Sequence, residues 1–222
     1  MDIGGETMLS RVVNRLSRLE CLDRIVVATT EELADDAVVQ ECDRLNVAVA
    51  RGSEDDVLDR FYRAATAFDA EVVVRITGDC PLIDPTEVER VIKSFLDSRP
   101  DYASNVLIRT LPRGLDTEVF TMEALATAWR EAAQPYERAH VTPFIYQHPD
   151  RFRVVAAQSD ASYGAYRWTV DTVDDLRFVR QVYARFGDRG DFGWRDVIAL
   201  LEREPELADI NRKIEHKSLT DG

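Results

Sequence analysis

VVVRITGDCPLIDP, residues 72–85, is the stretch that decides the fold. Three valines and an isoleucine follow one another with a single arginine between them. Such a run lacks the polar alternation of a half-exposed strand, and predicts a strand over 71–76 buried on both faces. Thr77-Gly78 interrupts it, and Asp79 emerges at its carboxyl end. Pro81 stiffens the exit, and Pro85 is well placed to open a helix over 86–98. In open α/β sheets the ligand crevice lies beyond the carboxyl ends of the strands. Asp79 is therefore a candidate magnesium ligand or phosphate-positioning residue. The plainer alternative is an aspartate that only organises the turn. Gly78 is expected to allow close backbone approach or an unusual dihedral. Arg75 has two readings: it reaches a polyphosphate, or it pairs with a carboxylate at the edge of the core, because a charge inside an apolar strand needs a partner.

The same alternation extends in both directions. Residues 8–19 place Met8, Leu9, Val12, Val13, Leu16 and Leu19 at helical spacing. RIVVAT (24–29) and NVAVAR (46–51) read as strands, with helices expected over 31–45 and 55–68. DYASNV (101–106) follows as another strand, and FRVVAA (152–157) as a later one. Continuous apolar strands separated by helices predict a three-layer α/β fold with a mainly parallel sheet. Residues 108–159 are less regular, apart from a helix near 122–133, and are a candidate dimerisation arm within one domain spanning 1–222. YRWTVDTVDDLRFVRQVY reads as a short strand, a turn and an amphipathic helix, with another helix over 194–202. The last dozen residues, which include His216, are polar and expected to fray.

The 222 residues carry 41 acidic and 28 basic side chains, a net charge of −13. That surface repels nucleic acid and anionic lipid at long range, although a local arginine cluster or bound cation permits a phosphorylated ligand. No apolar run is long enough to span a bilayer. MDIGGETMLSRVV has no signal-peptide pattern, so cytoplasmic residence is the default. Cys21, Cys42 and Cys80 are scattered without zinc or redox spacing, and read as reduced apolar fillers.

Asp171, in RWTVDTVDDL, also follows a short apolar segment. Thr172 is placed to cap the next helix, with Asp174 and Asp175 in its first turn. Two strand-end carboxylates that converge suit Mg2+, which takes oxygen ligands and keeps water and substrate phosphates. The alternative is two independent structural aspartates.

DRIVVATTEELADD, RGSEDDVLDRFYRAA, VVVRITGDCPLIDP, DYASNV, LPRGLDTEVF, YERAHVTPFIY and RWTVDTVDDLRFV occur in that order. Together they resemble the SpsF-like spore-coat polysaccharide biosynthesis family, relatives of the CMP-sialic acid and CMP-Kdo synthetases. The resemblance implies a nucleotide-diphospho-sugar-transferase-like fold. It also implies transfer of CMP from CTP to an acidic sugar or related acceptor, with Mg2+ and as a homodimer. Asp79 and Asp171 map onto the family's metal aspartates. Arg51, Gly52, Ser53 and Asp56, with Arg75 and Gly78, fall on its nucleotide side. Arg113, Asp116, Glu118 and His140 fall on its acceptor side. A metal-dependent glycosyltransferase and a non-catalytic nucleotide- or sugar-binding protein are the rival readings.

One departure bears on these expectations. The family opens with an apolar strand and a loop resembling Q-A-R-x-x-S-x-R-L-P-G-K, whereas MDIGGETML aligns just downstream of that loop. Gly4-Gly5 match the family's glycine pair. Without that strand, backbone groups in the middle of the sheet are expected to be exposed, and the triphosphate lacks the loop's cations.

Overall fold

The computed structural model describes residues 1–214; the polar tail with His216 lies outside the described residues, apart from its first few positions. The elements run β1 (Asp2–Ile3), β2 (Glu6–Thr7), α1 (Met8–Leu16), β3 (Val26–Thr30), α2 (Asp36–Leu45), β4 (Ala48–Gly52), α3 (Val57–Ala67), β5 (Val72–Arg75) and α4 (Pro85–Ser98). They continue with β6 (Tyr102–Ser104), β7 (Glu118–Thr121), α5 (Met122–Glu131), α6 (Pro135–His140), α7 (Pro143–Tyr146), β8 (Val154–Ala156), α8 (Val173–Arg185), α9 (Trp194–Arg203) and α10 (Pro205–Asp209). No helix among the described residues is long and apolar enough to cross a membrane.

Three sheets form: the β1-β2 hairpin, a parallel β3-β4 pair, and a four-stranded sheet in the order β5-β7-β6-β8. The expected α/β fold is present, with one antiparallel strand inserted in the larger sheet. β7 is antiparallel to both β5 and β6, so β5, β6 and β8 point the same way and β7 alone opposes them. The chain leaves β6, loops through 105–117 and returns as β7 between β5 and β6. Pleating then sorts the side chains. Val73, Phe120 and Tyr102 stand in register on one face, and Val74, Val119 and Ala103 on the other. The first set packs on Leu58 of α3, Leu125 of α5 and Ile145 of α7. The second packs on Val12 and Leu16 of α1 and Val88, Val91 and Phe95 of α4. A third core, under α8 to α10, gathers Trp168, Val170, Phe178, Trp194 and Leu201.

β3 pairs with β4 alone and β5 with β7 alone, so each keeps an edge without a strand among the described residues. Among the described residues a gap without strand pairing thus separates the β3-β4 pair from β5. α3 spans it, since it contacts β3 and β4 and also packs Leu58 and Phe61 with Val73 of β5. Val72, at the start of β5, is 41 % exposed. At the other end of the chain's first turn, Gly4 (φ 58°) and Gly5 (φ 79°) both take left-handed conformations, which lets the two-residue β1-β2 turn close.

Candidate active site

The turn after β5 is fixed at several points. Cys80 N–H donates to Thr77 O (3.3 Å) and Ile83 N–H to Cys80 O (3.0 Å). Tyr183 Oη donates to Pro81 O (2.7 Å), Trp194 N–H to Asp84 Oδ2 (2.7 Å), and the buried Arg15 to Ile83 O. Asp84 also caps α4 through Thr86 N–H (2.9 Å) and Glu87 N–H (3.2 Å). Asp79 thus rides on a braced turn. Its carboxylate accepts only from Cys80 Sγ, at 3.7 Å, and has no cationic side chain within ion-pair reach among the described residues. Gly78 takes no positive φ, so the unusual dihedral is not present, and an added Cβ meets nothing within 4 Å. The Thr77–Cys80 hydrogen bond makes the turn without glycine's special freedom. Burial pushes the Cys80 thiol well above its usual range, with Asp79 and then Asp116 adding to the effect against an opposing Thr77 hydrogen bond. Cys80 is thus a protonated thiol rather than a nucleophile.

The segment 166–171 is stitched to this turn and to the loop before β7. Val170 N–H donates to Asp79 O (2.9 Å), Trp168 N–H to Arg113 O (2.7 Å), and Arg113 N–H to Tyr166 O (3.1 Å). The expected short strand is reduced to an isolated bridge between Arg113 and Arg167. Gly114 is required here. Its φ is 102°, and a Cβ would lie 2.8 Å from the carbonyl carbon of Trp168. Asp79 and Asp171 are therefore brought together by a backbone bond one residue from Asp171.

Asp171 is 56 % exposed and ion-paired to Arg167, whose Nε also bonds the fully buried Asp175 at 3.0 Å. Asp175 accepts further from Asn211 Nδ2 (2.9 Å), Thr172 N–H (3.0 Å) and Asp171 N–H (3.2 Å). Burial alone would raise its pKa, but Arg167, Asn211 and Thr172 together hold it below the usual carboxylate range. On the other side, Arg109 grips Asp116 through two bonds of 2.8 and 3.0 Å. Arg113 makes no side-chain ion pair among the described residues; burial, then the neighbouring Arg109 and Arg167, lower its pKa against the pull of Asp116. Asp79, Arg113, Asp116 and Asp171 therefore share one end of the fold, with Arg109 and Arg167 as members the sequence reading missed.

Glu118 and Arg75 form a second cluster. Glu118 pairs with Arg75 and accepts from Tyr102 Oη (2.7 Å) and Thr142 Oγ1 (2.5 Å). Of the two readings of Arg75, the paired carboxylate is the arrangement present. Burial, with Glu118 adding and Arg75 opposing, pushes Tyr146 up to about 12. Thr142 follows a tight three-residue turn. Val141 has φ 74° and ψ −54°, and Thr142 N–H donates to His140 O at 2.9 Å. That conformation is strained for a β-branched residue. It sits beside His140, whose Nε2 is buried without a hydrogen-bond partner among the described residues. Strain and an orphaned polar atom thus coincide at this turn.

At the end of β4, Arg51, Gly52 and Ser53 line an open cleft of about 480 Å³ with Glu31, Glu32 and Asp55. Arg51 is braced by Thr30 O (2.8 Å), Glu32 O (2.9 Å) and Asp36 (2.7 Å). Asp56 does not line the cleft. It caps α3 through Asp59 N–H (2.9 Å) and is clasped by Arg138.

Among the described residues no group of three or more His, Cys, Asp and Glu side chains is arranged to hold a metal. Two carboxylates suffice for Mg2+ when phosphates and water complete its shell. Asp79 and Asp171, hard oxygen donors on adjoining turns, fit that role.

The fold is that of a nucleotidyltransferase. The chain belongs to the cytidylyltransferase family, whose profile matches residues 1–183. It is 32% identical over 213 residues to the spore coat polysaccharide biosynthesis protein SpsF of Bacillus subtilis, covering 93% of this chain and 88% of that one. A solved cytidylyltransferase from Leptospira borgpetersenii serovar Hardjo-bovis superposes with a TM-score of 0.91 at 30% identity, over 97% of this chain and 91% of that one. CMP:2-keto-3-deoxy-manno-octonic acid synthetase, solved with CTP, shares the fold at a TM-score of 0.62 and 17% identity, over 83% and 90%.

Proposed function

We propose that the protein transfers CMP from CTP to an acidic sugar acceptor in surface polysaccharide synthesis, working with Mg2+ and as a homodimer. The observation that carries this reading is the Val170–Asp79 bond, which joins the turns of the two aspartates, with the Asp79 carboxylate lacking a cationic partner among the described residues. Asp79 and Asp171 would hold Mg2+, which supplies charge neutralisation and orients phosphate oxygens. Arg51, Gly52 and Ser53 would take the nucleoside end, and Arg113 an acidic group of the acceptor. Glu118, through Thr142, would set the turn that presents His140. Catalysis would rest on positioning and preorganised charge rather than on a covalent nucleophile. The homodimer would use the outer surface of the 108–159 region, because β7 lies inside the sheet and Leu125, Val141 and Ile145 are buried.

The test is an acceptor panel. With CTP and Mg2+, 2-keto-3-deoxy sugar acids should give a CMP ester by mass spectrometry, whereas the corresponding neutral sugars should not. Equal yields from neutral sugars would reject the acidic acceptor.

A further inference from the structure

Arg167 is placed between two unlike carboxylates. Asp175 is fully buried, bonds Arg167 Nε at 3.0 Å, and is otherwise supplied with donors by Asn211 and Thr172. Asp171 is more than half exposed and meets Arg167 Nη2. The Arg167 side chain is only 9 % exposed, so its charge needs a lasting counter-charge, and Asp175 provides it. Its backbone is fixed as well, since Asn211 Nδ2 donates to Arg167 O at 2.9 Å. The pairing with Asp171 is thus surplus to the needs of the buried arginine and can be given up at little cost.

We infer that Arg167 is a positioning residue that occupies Asp171 until the cation arrives with nucleotide, so that the free ion binds weakly and the ion–nucleotide pair binds well. This rests on the reading of Asp79 and Asp171 as the ion's ligands. A divalent ion that enters alone must take Asp171 from the guanidinium and then sit beside a fixed positive charge. A polyphosphate changes the balance, because it brings negative charge that attracts Arg167 as well as the ion. The two ligands are then coupled, each raising the other's affinity. An arginine with a merely structural role predicts the opposite response to its removal, a loosened loop and a weaker ion site.

The experiment measures Mn2+ binding by the loss of its free-ion EPR signal, with and without CTP and with no acceptor present. Arg167→Gln should bind Mn2+ alone roughly tenfold more tightly than the unaltered chain, the scale of one charge-assisted contact. The gain in Mn2+ affinity on adding CTP should shrink by a similar factor. Where Arg167→Gln does not fold, Arg167→Lys keeps a charge near Asp175 but not the fork that spans both carboxylates, and should also tighten Mn2+ binding. Unchanged or weaker Mn2+ binding in the folded variant would overturn the inference. Asp79→Asn separates the two levels. If it abolishes Mn2+ binding while Arg167→Gln fails to tighten it, the role of Arg167 is wrong and the metal site stands. If Asp79→Asn leaves Mn2+ binding intact, the metal site itself is wrong and the inference falls with it.

Discussion

Asp79→Asn is expected to lower CTP-dependent turnover on the order of 1000-fold, the equivalent of about 4 kcal/mol of lost charge stabilisation. The same substitution should leave the melting temperature within about 2 °C of the unaltered chain, the usual range for a side chain with few contacts. The contrast follows from the structure. The turn that carries Asp79 is held by Thr77, Arg15, Tyr183, Trp194 and Val170, and none of these bonds uses its carboxylate. Among the described residues the carboxylate's only side-chain hydrogen bond is the long one from Cys80 Sγ at 3.7 Å. A turn-organising aspartate would behave in the opposite way, losing stability with little change in rate. Steady-state pyrophosphate release and thermal unfolding, measured on the same preparation, distinguish the two.

Glu118→Ala is expected to have the largest effect on stability. The Arg75–Glu118 pair is buried, with side-chain exposures of 16% and 7%. Removing one member of such a pair leaves an uncompensated charge, at a cost of about 3–5 kcal/mol. For a chain of this size the melting temperature should fall by roughly 6–20 °C. The loss spreads beyond Arg75, because Tyr102 Oη and Thr142 Oγ1 lose their acceptor too. Glu118→Gln keeps an acceptor and should recover part of the difference. Circular dichroism melts of both variants check this. A melting temperature for Glu118→Ala within 2 °C of the parent would contradict the network described here.

Much of the fold is legible in local pattern. The β5 run and the Pro85 start of α4 sit where VVVRITGDCPLIDP places them, because β-branched residues and proline's fixed φ act locally, but the expected burial of β5 on both faces is corrected: Val72 is exposed and the rest of the strand only half-buried. The direction of β7 is not legible. EVFT has only Val119 and Phe120 apolar, a pattern the same for either sense of the chain, and only the path of residues 105–117 decides it. At the site, Asp79 is conspicuous because a strand end and a glycine flank it. Arg167 and Asp175 are hidden for a different reason. Asp175 reads as one of two acidic residues favourable to a helix start, yet it is completely buried, and its partners lie at Asn211 and in the segment before the helix. Arg15 likewise reads as the polar side of a helix, but its guanidinium reaches the carbonyls of Gly190 (3.0 Å) and Phe192 (2.9 Å). One signal was available for Arg167 and Asp175. An arginine two residues into a short apolar segment needs a carboxylate nearby, by the logic already applied to Arg75.

The braced turns of Asp79 and Asp171 would serve cytidylyl transfer. The most direct test of that role is pyrophosphate release from CTP, ATP, GTP and UTP with Mg2+ and a 2-keto-3-deoxy sugar acid. It should be run on the 222-residue chain and on the same chain preceded by the family's strand and basic loop. The loop would bring cations to the triphosphate. The account predicts acceptor-dependent release from CTP in preference to the other three, stronger in the extended chain and lost with Asp79→Asn. No CTP-dependent release from either chain, or release indifferent to the base, would contradict it.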